Sequence, residues 1–599
     1  MSRPMTSRPK VGHYTKKKAL GAVKALMSFL TDLPDGPSPI CVTYFDEAHN
    51  LGIRFWILLR LLSHQPLATA MWYVFMGTKS SISYFSPLPM YLLSLRLGNE
   101  LRKLLLPYIA LDFDQNVVKD RQEVTVTMGE LQSLEHFATY GRPMWQAHLP
   151  EEEENQLVQS ASWKLINGHT FDDQDKHQVF AVLSQRLCIE PVLVGSEAIA
   201  LADQSVAHHM RLITGISADR RTFYTYSPSE PILVLGAANI LYNTKEAKRL
   251  GRVLDTFSKR LCSSGLVEKG LIGELGARVL LLLARDFATP MEGWRGPNLL
   301  KPIRLLTMID TLFGQTAWTG IVEHRKAYDN AFEDAHVNFT HWIVTKDPLP
   351  EMPDRLLLAN LWARGAILQC CFNQESIDFM MVVYHGKMDA DAVFDPAMLS
   401  AAFGQVKYKN KADTTAEQAT RPIGLSRDQT NPLPYLALLL ELGNESHHGA
   451  THSKIKVTIP EATKKGEFQR LTESHSMAAE ALRDYRAQAG QPVKDRTDPK
   501  LVKKQKAVKE ARVTMDTYNR YMIAIRGASA DPYGILRKAN IETEFATLLS
   551  TTMPSPTPQD DALQHMRPLE RLGGGSGHNA WMSNYVARTS NEHSMDVDS

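Results

Sequence analysis

Cysteine is scarce in this chain of 599 residues: Cys41, Cys188, Cys262, Cys370 and Cys371 are an odd number with no CxxC pair among them. That excludes a disulfide-stapled scaffold and points to reduced thiols in an intracellular protein, buried as small hydrophobes rather than serving metal or redox chemistry. Long apolar runs are also missing. The stretches Phe55–Met76 and Leu271–Phe287 are broken by Arg60, His64, Glu274, Arg278 and Arg285, so neither suits a bilayer span. The basic leader MSRPMTSRPKVGHYTKKK runs into no apolar signal-peptide core. No charge of either sign dominates, since 67 Lys+Arg stand against 65 Asp+Glu for a net +2. A whole-molecule field for nucleic acid or membrane is therefore excluded, and any such role must come from local patches.

What is present is a 44% hydrophobic chain, long enough for three or four globular units at about 100–200 residues each. After the leader (1–14), residues 15–120 read as an α/β core. Lys16–Leu33 has helical apolar spacing, and Ile40–Phe45 is a β-branched and aromatic run expected as a buried parallel strand. A helix-like Phe55–Ser63 and a second strand, Met71–Met76, complete one βαβ unit. Residues 121–345 read as a helical lid or adaptor, with helices over Val179–Cys188, Glu197–Ile213, Glu246–Leu266 and Leu271–Phe287. A second α/β module is expected over 346–540. It has a helix at Arg355–Arg364 and strands at Ala366–Phe372, Ile377–Tyr384, Phe403–Tyr408, Tyr435–Leu442 and Tyr521–Arg526. Its charged insertion, 461–512, carries Lys500, Lys503, Lys504, Lys506 and Lys509 on one exposed helix. Residues 541–599, with MPSPTPQDD and GGGSG, read as a largely disordered tail.

Two constellations carry chemistry. Ile40–Glu47 has the form of a Walker B strand, in which the strand-end Asp46 would hold Mg²⁺ and Glu47 would polarise the attacking water. The polar end of the next strand, Thr78-Lys79-Ser80, sits where a γ-phosphate sensor is expected. No G-x-x-x-x-G-K-[ST] occurs, so nothing wraps the phosphates of ATP. The expectation is an incomplete P-loop NTPase-like sheet, its opening strand and phosphate loop lying upstream or lost to decay.

In the second module Asp378 opens one strand, and the next carries Gln405-Val406-Lys407. Side chains alternate along a strand, so Gln405 and Lys407 share a face. This D…Q-x-K pattern is the arrangement of PD-(D/E)XK nucleases. Asp378 and Gln405 would place Mg²⁺ or Mn²⁺ against the scissile phosphate while Lys407 orients water and offsets developing charge. Gln, being neutral, is a weaker ligand than Glu.

The ordered set YFDEAHNL (44–51), MGTKSSISYFSP (76–87), LPYIALDFDQ (106–115), YGRPMW (140–145), LSQRL (183–187), ARGAI (363–367), NQESIDFMMVV (373–383), FGQVKYKN (403–410) and PYLALLLELG (434–443) resembles the Crinkler-type effector-like proteins of fungi and oomycetes. That family couples a P-loop NTPase to a restriction-endonuclease-like domain. The resemblance covers roughly residues 15–445. It implies Asp46 and Glu47 as the Walker B pair, Thr78–Ser80 as sensor and Arg142 as a second sensor of nucleotide phosphates. Asp378, Gln405 and Lys407 become the nuclease site, acting on DNA under nucleotide control.

Other candidates are weaker. His447, His448 and His452 lack partners with metal-site spacing. Glu333 and Asp334 suit a solvated helix face, or an acidic contribution to the nuclease site. The lysines of 500–509 suit a solvated face, a phosphate-backbone contact or a nuclear-import signal. Two further readings stay open: a catalytically inactive scaffold binding DNA or a protein partner, and an ATPase switch without nuclease activity.

Overall fold

The computed structural model describes residues 41–46, 48–51, 71–76, 113–117, 125–149, 154–217, 223–243, 248–268, 273–289, 297–314, 322–349, 355–372, 377–408, 433–443, 455–460, 467–488, 499–516 and 520–551, with a few isolated positions between them. The fold is mixed α/β. Among the described residues no helix is long and apolar enough to cross a membrane. Two compact units form, one from residues 1–109 with 216–223 and the other from 110–215 with 224–599.

In the first unit, β1 (Cys41–Phe45) pairs in parallel with β2 (Met71–Phe75), Phe45 lying opposite Phe75. Their rings stack at 4.9 Å, and Phe55 meets Phe75 edge-on at 5.0 Å. The alternate residues face the other way, and there Val42, Tyr44 and Val74 are exposed. The run expected to be a strand buried on both sides is thus apolar on both sides but covered on one. The expected helix Lys16–Leu33 and most of Phe55–Ser63 lie outside the described residues.

The second unit is built on one nine-stranded mixed sheet. Its strands are β5 (Ile303–Arg304), β6 (His336–Val337), β7 (His341–Val344), β8 (Ala366–Gln369), β9 (Phe379–Tyr384), β10 (Leu399–Lys407), β11 (Tyr435–Glu441), β12 (Ile455–Thr458) and β13 (Arg520–Arg526). The path runs β12-β13-β11-β10-β9-β6-β5, and β8 pairs with β7 and with β9. β9 is antiparallel to β8 and β10, whereas β10, β11 and β13 are mutually parallel. β3 (Leu212–Ile216) and β4 (Phe223–Tyr226) pair separately.

Tyr435-Leu-Ala-Leu-Leu-Leu-Glu441 is buried at every position, as an unbroken apolar run in a parallel pair should be when both sheet faces are covered. Alternation sorts the strand residues into two clusters. Phe379, Met381 and Val383 join Leu436, Leu438 and Leu440 in the larger core with Leu280, Leu281 and Leu283, while Met380, Val382 and Phe403 pack with Leu358, Leu361 and Trp362. The helices concerned are α3 (Glu274–Ala288) for the first and α4 (Arg355–Arg364) for the second. Two earlier helices, α1 (Lys176–Leu187) and α2 (Pro231–Tyr242), complete the larger core.

An ion network crosses that core. Arg186 on α1 directs Nη2 to both oxygens of Asp286 on α3 at 2.9 Å, and its Nε donates to the Thr340 carbonyl at 2.8 Å. Tyr242 donates its hydroxyl to Asp286 at 2.7 Å. Both charged side chains are fully buried.

The structure departs from the sequence expectation in several places. Residues 121–345 supply β5, β6 and β7 to the same sheet as 346–540, so no boundary in the packing falls at 345. The helix expected over Glu197–Ile213 ends at His208 and is followed by β3. Glu246–Leu266 is a short helix, Arg249–Thr256, continued as a π-helical turn over Phe257–Cys262. The lysines at 500–509 lie on one helix as expected, α6 (Pro499–Asp516), and the insertion adds a second helix before it, α5 (Glu467–Gln488). The segment after 541 opens with α7 (Glu542–Ser550), which buries Phe545, Leu548 and Leu549 in the larger core. Residues 552–599 lie outside the described residues.

At Gly404 the sheet leaves no room for a side chain. A Cβ there would lie 1.8 Å from the Phe379 ring, which is itself held edge-on against Trp342 at 5.6 Å. Gly404→Ala is expected to lower the unfolding free energy by about 1–3 kcal/mol through overpacking, read as a shifted urea midpoint.

Candidate functional site

The chemistry-bearing residues of the second unit gather where β9 begins and β10, β11 and β13 end. Phe379, the first residue of β9, pairs with Gly404. Asp378 comes one step before it and Gln405 one step after Gly404, so register places them together. The Asp378 backbone is stitched on both sides. Its N–H donates to the Gly404 carbonyl at 2.7 Å and its carbonyl accepts from the Cys370 N–H at 2.7 Å. Its Oδ2 accepts from the Val406 N–H at 2.5 Å. Burial pushes the Asp378 carboxyl up, against the Val406 N–H and the Lys407 charge, which pull it down.

Gln405 is 5% exposed, and its Oε1 is buried without a hydrogen-bond partner. A buried amide oxygen left without a donor is costly, and such orphans need a reason. Lys407 lies in register with Glu441, which in turn lies in register with Arg526. Arg526 Nε donates to Glu441 Oε2 at 2.5 Å. The three parallel strands therefore end in a row of alternating charge. In open α/β sheets ligands approach this carboxyl end.

One carboxylate here was not singled out from the sequence. Glu274, the first residue of α3, accepts from Gln369 Nε2 at 3.1 Å. Its carboxyl is pushed up to about 7, first by burial and then by the negative charge of Asp378, with Arg278 opposing. A Glu in the first turn of a helix is ordinary at the sequence level, where it complements the helix dipole. Only the fold, bringing residues 274 and 378 together, gives it meaning.

Asp378, Glu274 and Gln405 are hard oxygen donors of the kind Mg²⁺ and Mn²⁺ prefer, and both carboxyls are raised by burial as expected of a site short of positive charge. The donor chemistry fits a divalent cation that keeps several waters. Among the described residues no group of three or more His, Cys, Asp and Glu side chains converges as a metal site.

The other candidates are placed as follows. Asp46 sits in the turn that ends β1, on the surface, while Glu47 and Thr78, Lys79 and Ser80 lie outside the described residues. Arg142 belongs to the second unit and has a structural employment. It pairs with the buried Glu230, donates Nη2 to the Met210 carbonyl at 2.7 Å and lies over the Phe113 ring. Glu230 also accepts from Trp145 Nε1 at 2.6 Å. Arg364 stacks on Tyr140 and pairs with Asp114, whose other oxygen accepts from the Gly141 N–H. The LDFDQ, YGRPMW and ARGAI segments thus meet in one knot. Glu333 and Asp334 are exposed, and His447, His448 and His452 lie outside the described residues.

Lys500, Lys503 and Lys506 are exposed on α6, and the Lys509 side chain is outside the described residues. Lys504 lies over the Tyr485 ring of α5 at 5.8 Å, holding the two helices together. Thr458, the last residue of β12, pairs with Met522 near the start of β13. The α5–α6 hairpin is therefore rooted at the end of the sheet opposite Lys407, Glu441 and Arg526.

Comparison with family models, with characterised proteins and with solved structures finds no match to the chain.

Near the site, Arg278 donates Nη1 to the carbonyls of Leu187 and Cys188 at 3.1 and 3.4 Å. Two residues on, Glu190 pairs with Arg211, yet burial outweighs that partner and pushes its carboxyl up from 4.5 to about 7. A carboxyl raised in the folded state contributes stability that is complete below its unfolded value and lost as pH climbs through the folded one. The cation-free chain is expected to lose stability between pH 4.5 and 7 on this account. Glu190→Gln should flatten that decline, read as urea midpoints at pH 5 and pH 8.

Proposed function

We propose that the second unit is a metal-dependent phosphodiesterase acting on DNA, of the PD-(D/E)XK type, within a Crinkler-like chain whose first unit regulates it through bound nucleotide. The observation that carries this reading is the coupling of two burial-raised carboxyls, Asp378 and Glu274, with the Lys407 charge acting on Asp378; Gln405, in register with Asp378, has an amide oxygen with no protein donor. Glu274 and Asp378 would hold Mg²⁺ or Mn²⁺ with Gln405 as the neutral third ligand. The cation supplies Lewis-acid polarisation of the phosphate when bound. Val406 holds Asp378 in place through its N–H. Lys407 offsets the charge that develops on the phosphate and orients the attacking water. ATP would bind the first unit with Asp46 as cation ligand, and the exposed lysines of α6 would meet phosphates of DNA in the nucleus.

The test is incubation of supercoiled plasmid with the purified chain. Nicking with Mn²⁺ or Mg²⁺ and none in EDTA is expected, and intact plasmid under all conditions would overturn the reading.

One observation favours a second reading, an inactive DNA- or protein-binding scaffold: the basic hairpin is rooted away from the carboxylates. Replacing Lys500, Lys503 and Lys506 together by Ala is expected to weaken DNA binding. The slope of log K against log salt should become shallower by roughly 0.9 for each phosphate that is no longer neutralised. Filter binding across a salt series measures it. Binding of this kind without cleavage would support the scaffold.

A further inference from the structure

Gln369, the last residue of β8, is 3% exposed and lies between two charges. Its backbone is fixed, because its carbonyl accepts from the Thr345 N–H at 2.9 Å. Its side chain spends both ends. Oε1 accepts from Arg278 Nε at 3.3 Å, and Nε2 donates to Glu274 Oε2 at 3.1 Å. A guanidinium can only donate, so the amide oxygen must face Arg278 and the NH₂ must face the carboxylate. The orientation of the amide is thereby dictated rather than chosen.

Glu274 and Arg278 are one turn apart on α3, the spacing at which they could pair directly. The guanidinium is turned elsewhere: to the amide, to the carbonyls of Leu187 and Cys188, and over the Trp342 ring. A direct ion pair would neutralise the carboxylate. The relay through a neutral amide instead fixes one oxygen of Glu274 without setting a cation against it, and involves Oε1 in none of these bonds. Metal ligands are typically oriented in this way by a second layer of hydrogen bonds.

We propose that Gln369, aligned by Arg278, is a positioning residue that holds Glu274 for a divalent cation shared with Asp378. This rests on the metal-dependent reading above. Neither residue touches the cation; both act through Glu274.

The test uses the full chain stripped with EDTA and titrated with Mn²⁺ alone, free Mn²⁺ being counted by electron paramagnetic resonance. Gln369→Met keeps the length and apolar bulk of the side chain and removes both hydrogen bonds. It is expected to weaken Mn²⁺ binding by roughly 10–100-fold, and to lower the thermal midpoint in EDTA because Arg278 Nε and Glu274 Oε2 lose their buried partner. Arg278→Lys keeps the charge and loses the Nε donor, and is expected to weaken Mn²⁺ binding by about tenfold. Glu274→Gln and Asp378→Asn separate the ligands from the residues that align them. If both bind Mn²⁺ like wild type, the metal-dependent reading falls and the positioning role with it. If both lose Mn²⁺ while Gln369→Met and Arg278→Lys bind within about twofold of wild type, the positioning role alone is overturned. Should Gln369→Met fail to fold, Arg278→Lys decides by the same criterion.

Discussion

Asp378→Asn is expected to lower metal-dependent DNA cleavage by on the order of 10²–10³-fold, and Lys407→Ala by a similar factor. The two losses have different origins. An asparagine in place of Asp378 keeps an oxygen available to the Val406 N–H, which wild-type Oδ2 accepts at 2.5 Å, so the start of β9 stays in place while the negative charge disappears. In Lys407→Ala the positive charge proposed to offset the developing charge on the phosphate is removed while both carboxylates remain. Cleavage assays under saturating Mn²⁺ and again at low Mn²⁺ distinguish them: added metal should recover part of the activity of Asp378→Asn and none of that of Lys407→Ala. Undiminished cleavage in both variants would remove these residues from the site.

The largest effect on stability is expected at the other end of α3. Asp286→Ala leaves Arg186 fully buried with its charge uncompensated and takes the acceptor from Tyr242. Breaking a buried pair from one side costs about 3–5 kcal/mol. Urea unfolding should show that loss as a fall in midpoint. Arg186→Met combined with Asp286→Leu should cost much less, because no charge is then stranded. A double variant as unstable as the sum of the two single ones would show that the pair contributes nothing as a pair.

Much of the sheet was legible in the sequence. Tyr435–Leu442 and Tyr521–Arg526 coincide with β11 and β13 to within a residue, because strands covered on both faces are continuous apolar runs flanked by polar or turn residues. Asp378 could be placed at the opening of one strand and Gln405–Lys407 within the next, which the structure extends back to Leu399. β3 was not legible. Leu212–Ile216 follows directly on the amphipathic residues of the preceding helix, and its five residues are all only half-buried, so no alternation marks it. β5 and β6 are two residues long, below the length at which any period can be read. Glu274 escaped for a different reason. Its significance lies in long-range packing against Asp378, far along the chain, and no local pattern carries that information. Arg142 shows the converse. The motif around it is conspicuous, yet its guanidinium is engaged with Glu230 and Met210.

The position of β13 between β11 and β12 has a consequence for synthesis. β11 ends at Glu441, but its parallel partner ends only at Arg526, about 85 residues later. At roughly 5–20 residues per second, the leucine-rich edge of β11 stays unpaired for several seconds after it leaves the ribosome. During that interval it is an open, apolar strand edge of the kind that templates aggregation. Chains stopped anywhere before residue 520 should accumulate as insoluble or chaperone-bound species, whereas the nascent full-length chain closes that edge itself.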